Sequence, residues 1–162
     1  MNKFYGTENY IQNIIEKYSD MILRISYSYM KNFNDAEDIT QETFIKLLEK
    51  QPTFQSSEQE RAWLIKVAIN LSKDKLKSSW FKKTAPLEGE FIATCQEDNE
   101  IIATVLSLPL KYRSVIFLFY YEDYSISEIA NILNLKESTV GSQLSRGRKL
   151  LKSKLMEDFE DE

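Results

Sequence analysis

The sequence predicts an all-α protein of two small helical domains, a three-helix bundle and a helix-turn-helix unit, joined by a flexible linker. Three observations carry that expectation. Four glycines and three prolines in 162 residues leave little punctuation for hairpins. Apolar residues recur at i, i+3, i+4 and i+7 along most of the chain, the spacing of one helical face. From about Trp80 to Asp98 that rhythm is lost, and Pro86, Gly89 and a run of acids take its place, as in an interdomain linker.

The elements follow in order. Ile11, Ile14, Ile15, Tyr18, Ile22, Ile25 and Tyr29 give one broad buried face to a helix from about Glu8 to Met30, which Asn32-Phe33-Asn34 ends. Asn34 followed by Glu37 resembles a capping box and opens a second helix, Asp35 to about Lys50. Ala36, Ile39, Thr43, Phe44 and Leu47 line its inner side, and Asp35, Asp38, Gln41, Glu42 and Lys46 its outer side. Pro52 closes it, and Gln51–Ser56 reads as a loop. Ser57 with Glu60 repeats the capping signature for a third helix to about Ser78, with Leu64, Ala68, Leu71 and Leu76 as its core. Three helices with short connections make a small antiparallel bundle. Beyond the linker, Ile101, Ile102, Val105 and Leu108 form a helix stopped at Pro109, and Tyr112 to Tyr121 forms another. The domain boundaries are therefore 1–80, a linker at 81–98, 99–156, and an acidic tail at 157–162 expected to be disordered.

From Tyr124 to Leu151 two short helices meet at a tight turn. Ile126, Ile129, Ala130 and Leu133 share a face, Asn134 and Leu135 break the rhythm, and Val140, Leu144 and Leu151 start a second stripe. Ser138, Gly141, Ser142 and Ser145 lie opposite, small and polar, followed by Arg146, Arg148, Lys149, Lys152 and Lys154. A buried seam, a slim polar face and a cationic end are what a helix-turn-helix needs to enter a major groove. Any amphipathic helical hairpin also buries one stripe and solvates the other, and such look-alikes are common in all-α proteins.

Composition narrows the remaining classes. Histidine is absent and Cys95 is the only cysteine, which removes the usual general base, a zinc site and any intrachain disulfide. No P-loop, dinucleotide turn or nucleophile elbow is present, so neither an enzyme nor a cofactor or small-molecule substrate is expected. No apolar run approaches a membrane span and the N-terminus lacks a secretory core, which points to the cytoplasm without membrane insertion. The lone Cys95 fits a reducing compartment, and a sensing role for it is not expected. The formal charge of −4 conceals strong segregation. Arg61–Lys83 holds seven cations against Asp74 alone, and Lys136–Lys154 six against Glu137 alone. Phosphate binding depends on local charge, so the two basic blocks suggest two separate DNA contacts.

Three stretches, in order, resemble the extracytoplasmic-function (ECF) group of bacterial RNA polymerase sigma factors. Asn34–Leu47, NDAEDITQETFIKL, is similar to the region 2 helix that docks on polymerase. Arg61–Leu76, RAWLIKVAINLSKDKL, is similar to the adjoining helix that reads and opens the minus-10 element. Leu108–Leu151 is similar to region 4, whose helix-turn-helix reads the minus-35 element. The resemblance implies polymerase contacts by Asp35, Asp38, Gln41, Glu42 and Phe44. It implies minus-10 contacts by Arg61, Lys66, Asn70, Lys73 and Lys77, with the Gln51–Ser57 loop and Asn70 forming a pocket for an unstacked base. Trp63 is expected in the core or the domain's packed surface rather than that pocket, and Asp74 in a structural ion pair. For the minus-35 element it implies Ser138, Thr139, Ser142, Gln143 and Ser145 toward bases, and Arg146, Arg148 and Lys149 toward phosphates.

The recognition helix departs from the family's common form. Gly141 stands where a cation or larger polar residue is usual, Gln143 where arginine is usual, and Gly147 where alanine is usual. Two glycines cost roughly 1 kcal/mol each in helix propensity, which implies weaker minus-35 affinity. Ser138 is expected to cap this helix in place of Lys136. Core RNA polymerase, promoter DNA and an anti-sigma factor are the partners the resemblance implies. Two other readings stay open: a helix-turn-helix regulator that acts without polymerase, and a polymerase-binding protein without promoter specificity.

Overall fold

A computed structural model describes residues 3–79 and 99–160. The linker expected at 81–98, with Lys82, Lys83 and Cys95, lies outside the described residues, as do Trp80 and Phe81. The described residues form helices without a strand, gathered into two compact units.

The first unit contains α1 (Lys3–Met30), α2 (Phe33–Lys50) and α3 (Ser57–Ser79). Along α1, Ile11, Ile14, Tyr18, Ile22 and Ile25 are buried, while Ile15 stays half-buried at the margin. The inner side of α2 is as its pattern predicts: Ala36, Ile39, Thr43, Phe44 and Leu47 are all buried. The hydroxyls of Thr40 and Thr43 are buried too. They donate to the carbonyls of Ala36 (2.8 Å) and Ile39 (2.7 Å) one turn back, so neither is stranded in the core.

Two sequence expectations for α3 shift. Its seam is Leu64, Ile65, Ala68, Ile69 and Ser72, with Leu71 and Leu76 only half-buried on the flanks. The β-branched pair Ile65 and Ile69 takes the centre. The cap also lies one residue earlier than Ser57 and Glu60. Ser56 Oγ accepts from the Gln59 N–H (3.2 Å), and Gln59 Oε1 accepts from the Gln55 N–H (2.9 Å). Glu60, released from capping, instead accepts the Tyr10 O–H at 2.7 Å and ties α3 to the start of α1. At α2 the expected Asn34–Glu37 box does not form, because the helix begins at Phe33 and takes Asn34 into its first turn.

The second unit holds α4 (Asn99–Ser107), α5 (Leu110–Ile116), a π-helical turn (Phe117–Tyr121), α6 (Ile126–Leu133) and α7 (Glu137–Glu160). Thr104, Val105, Leu106 and Leu108 are buried, but Ile101, expected in the core, is 43% exposed in the first turn of α4. Pro109 caps α5, so that helix starts two residues ahead of the predicted Tyr112 and widens into the π turn before Tyr121. Buried Arg113 donates from Nη1 to the carbonyls of Leu106 (3.2 Å) and Leu108 (3.1 Å), satisfying the end of α4.

Ser125 and Glu128 close a reciprocal capping box on α6, and Asn134 ends it in the left-handed conformation (φ 55°, ψ 48°). Leu135 N–H then donates to Ala130 O at 2.9 Å, which tightens the turn into α7. That helix begins at Glu137, so Ser138 is its second residue and not its cap. The tail expected to be disordered is helical to Glu160. Leu151 and Leu155 stay half-buried past the basic end, and Lys154 Nζ donates to Ser107 Oγ (3.1 Å) and O (3.4 Å), which holds α7 to α4.

Candidate docking and nucleic-acid surfaces

Each of three helices exposes one continuous face. On α2, Asp38, Gln41, Glu42, Ile45, Leu48 and Glu49 are exposed, and their three- and four-residue steps place them on one side. Phe44 does not belong there. It is 6% exposed and sits in the core, because its helical position follows Ala36, Thr40 and Leu47 inward. The exposed apolar groups are its neighbours Ile45 (49%) and Leu48 (47%), which the sequence reading passed over. Their signal was present: both fall outside the buried stripe. Leu48 also borders a shallow groove with Glu8, Ile11, Gln12 and Ile15, extending the face onto α1.

Asp35 and Asp38 meet Lys75 of α3 at 3.2 and 3.3 Å. Burial alone would pull the Lys75 ammonium down, but hydrogen bonds and charge from the two aspartates outweigh it and hold its pKa above the lysine norm. The ion pair expected of Asp74 thus falls to its neighbour, and Asp74 is exposed. Helical geometry explains the exchange, since Lys75 points to the α2 side and Asp74 away from it.

On α3, Lys66, Asn70, Lys73 and Lys77 follow steps of four, three and four and share one face. Asn70 and Lys77 are exposed, and Lys66 and Lys73 half-exposed. Arg61 lies on another side. Its Nε donates to Met21 Sδ of α1 at 3.2 Å, which takes it out of the basic face. Trp63 stands two turns before Asn70 on the same face and packs edge-on against Phe54 of the 51–56 loop, ring centroids 5.8 Å apart. The loop is therefore anchored by an aromatic pair two turns N-terminal to Asn70 on α3. A face with cations along it, an amide that both donates and accepts, and aromatic rings at one end suits a single nucleic-acid strand.

On α7, Ser138, Ser142, Ser145 and Lys149 form the exposed stripe, with Arg146 exposed on one flank and Arg148 on the other. Thr139 and Gln143 are half-buried at the same margin as Arg146. Val140 and Leu144 are fully buried against the rest of the unit. Gly141 has open space where a Cβ would stand, which leaves the centre of the face shallow. Gly147 differs. A Cβ there would meet Ile116 Cδ1 at 2.7 Å and Tyr112 Cβ at 3.2 Å, so this glycine lets α7 approach α5 closely and is no defect of the reading face. Arg148 Nη1 donates to the Tyr120 hydroxyl at 3.3 Å, and its Nε to Leu144 O at 3.4 Å.

Among the described residues no cluster of acids or cysteine could hold a metal ion, and no helix is long and apolar enough to cross a membrane.

Residues 14–82 match the family model described as Sigma-70 region 2, and residues 98–151 the model described as Sigma-70, region 4. The chain is 30% identical to the ECF RNA polymerase sigma factor SigW of Bacillus subtilis, an alignment covering 93% of this chain and 91% of that one. With the RNA polymerase sigma factor SigV of the same organism it shares 28% identity over 98% of both. Among solved structures, CnrH in complex with the cytosolic domain of CnrY shares the fold at a TM-score of 0.72, with 21% identity over 95% of this chain and 92% of that one. The sigma factor RpoE from Bartonella quintana, in complex with the anti-sigma factor NepR, gives 0.69 with 19% identity over 90% and 96%. Two sigma-70 regions in one all-α chain define its class. It belongs to the ECF group of RNA polymerase sigma factors, alternative sigma factors that direct transcription initiation.

Proposed function

We propose that the three faces divide the work of initiation among them. The α2 face, with Asp38, Gln41 and Glu42 around Ile45 and Leu48, docks on core RNA polymerase. Acids there attract a basic partner surface, and the two exposed apolar side chains give it area to bury. Asp35, turned toward Lys75, supports this face from its edge. The Lys66–Asn70–Lys73–Lys77 face holds the minus-10 element, with Asn70 and the 51–56 loop, anchored by the Phe54–Trp63 pair, receiving an unstacked base. The α7 stripe reads the minus-35 duplex through Ser138, Ser142 and Ser145, flanked by Thr139 and Gln143, while Arg146, Arg148 and Lys149 take phosphates. On this reading the domains are 1–80 and 99–156 with 81–98 between them.

The segregation of charge between the α2 face and the α3 face carries this reading. One small unit presents an acidic and apolar surface for protein and a basic, amide-bearing surface for nucleic acid. The chain supplies placement rather than bond chemistry, and it works in the cytoplasm beside polymerase. An anti-sigma factor is a further proposed partner, since both structural relatives named above are held in complexes of that kind or with a cytosolic partner domain.

Permanganate footprinting of a promoter fragment with core enzyme tests the reading. Reactive thymines should appear near minus-10 only when core and this chain are both present. Substituting Asn70→Ala or Lys73→Ala with Lys77→Ala should suppress that opening while leaving core binding intact. Duplex protection by the chain alone, unchanged by core, would instead mark an ordinary helix-turn-helix regulator.

A further inference from the structure

The π-helical turn Phe117–Tyr121 is the one departure from α geometry within the described helices of the second unit. Such turns shift the register of every side chain after them and recur at functional sites. Here the shift leaves Tyr120 on the surface, 49% exposed, its ring edge-on to Phe119 with centroids 5.0 Å apart. Its hydroxyl lies 3.3 Å from Arg148 Nη1, on the flank of the α7 stripe next to Lys149. The oxygen of Tyr120 serves as acceptor, so its own O–H proton is directed elsewhere and meets no acceptor among the described residues. Arg148 is steadied at two points, through Nε to Leu144 O and Nη1 to Tyr120, and no hydrogen bond among the described residues engages its Nη2.

We infer that Tyr120 and Arg148 form a two-pronged clamp for one backbone phosphate of duplex DNA, lying beside the base-reading stripe. A guanidinium that donates to a phenol oxygen polarises that O–H and makes it a better donor to an anion. Tyr120 O–H and Arg148 Nη2–H then offer two donors from two different elements, the π turn and α7, to one phosphate. A phosphate gripped this way fixes how far α7 turns in the groove without reading sequence itself. The clamp rests on the proposal that α7 enters promoter duplex, and adds Tyr120 to the residues engaged there.

The test uses full-length chain assembled with core polymerase on a promoter fragment that the wild-type assembly transcribes. Tyr120→Phe keeps the ring against Phe119 and removes only the hydroxyl, and Arg148→Met removes the cation. Phosphate-ethylation interference should show the same upstream phosphate losing its effect in both variants. Affinity should fall about fivefold to tenfold for Tyr120→Phe, the net worth of one ordinary hydrogen bond. Arg148→Met should flatten the plot of log affinity against log salt by roughly 0.9, one phosphate's share. The double variant should lose less than the sum of the two single losses. A wild-type ethylation pattern in Tyr120→Phe, or losses that add in the double variant, would overturn the clamp while leaving the α7 assignment standing. A wild-type assembly with no upstream interference at all would remove the clamp and that assignment together.

Discussion

Gly141 and Gly147 stand on the same helix and answer opposite demands. With open space around Gly141, Gly141→Ala should stabilise the second unit by up to about 1 kcal/mol, the difference in helix propensity. Gly147→Ala gains the same propensity but drives a methyl into Ile116 and Tyr112. Overpacking of that kind costs about 1–3 kcal/mol, so a net loss of roughly 1 kcal/mol is expected in urea or thermal unfolding. Equal stabilisation by both changes would contradict the close approach of α7 to α5. The sequence shows both glycines as departures from the family pattern, but only three-dimensional packing separates them, because the atoms that crowd Gly147 lie about thirty residues earlier in the chain.

Two titrating contacts of the first unit give it a shared alkaline limit. Burial, then the hydrogen bond to Glu60, raises Tyr10 from 10.0 to about 12. Lys75, held by Asp35 and Asp38, is also raised. Both groups bind their protons more tightly folded than unfolded. Their contributions are therefore complete below their ordinary pKa values and disappear as the pH climbs through the raised ones. Thermal midpoints measured from pH 9 to 12 should fall above pH 10, and fall less steeply in Tyr10→Phe. At neutral pH, Lys75→Met should cost only about 0.5 kcal/mol, since the pair is partly exposed and screened by salt.

At the scale of elements, helix identity was legible and helix ends were not. Periodicity located all three helices of the first unit and the α6–α7 pair, because core burial imposes the 3.6-residue rhythm directly. Caps depend on single hydrogen bonds, and several nearby residues compete to make them. Ser56 rather than Ser57 therefore caps α3, and Phe33 draws Asn34 into α2. The box on α6 is the firm case, with both of its bonds present between Ser125 and Glu128. Ser125→Ala should cost about 1 kcal/mol, seen as earlier melting of the second unit. The same local ambiguity explains Phe44. One position along a helix turns a side chain by about 100°, so a docking residue and a core residue can be adjacent in sequence. In the docking proposed for α2, exposed Ile45 and Leu48 replace buried Phe44.

For the whole molecule, segregated charge was the most readable property. A net charge of −4 gives no hint of nucleic acid, whereas the two basic blocks do, and the structure lines Lys66, Lys73 and Lys77 along one face of α3 and sets Arg146, Arg148 and Lys149 on and beside the exposed stripe of α7. Tertiary folding withdraws particular members: Arg61 turns to Met21, Lys75 to two aspartates, and Lys154 to Ser107. Sequence counts cannot register such losses, since each depends on a partner distant along the chain.

Docking on polymerase through the α2 face is the central claim, and Glu42 and Ile45 are the residues on which to test it. Both are exposed and neither contacts Lys75, so their replacement leaves the Asp35–Asp38–Lys75 contact intact, which a charge reversal at Asp38 would not. In vitro transcription with purified core enzyme on genomic fragments, comparing the chain with Glu42→Lys/Ile45→Lys, is the direct measurement. Discrete start sites with the wild-type chain that vanish in the double variant, at equal thermal stability, are the expected result. Undiminished initiation by the double variant would contradict the account.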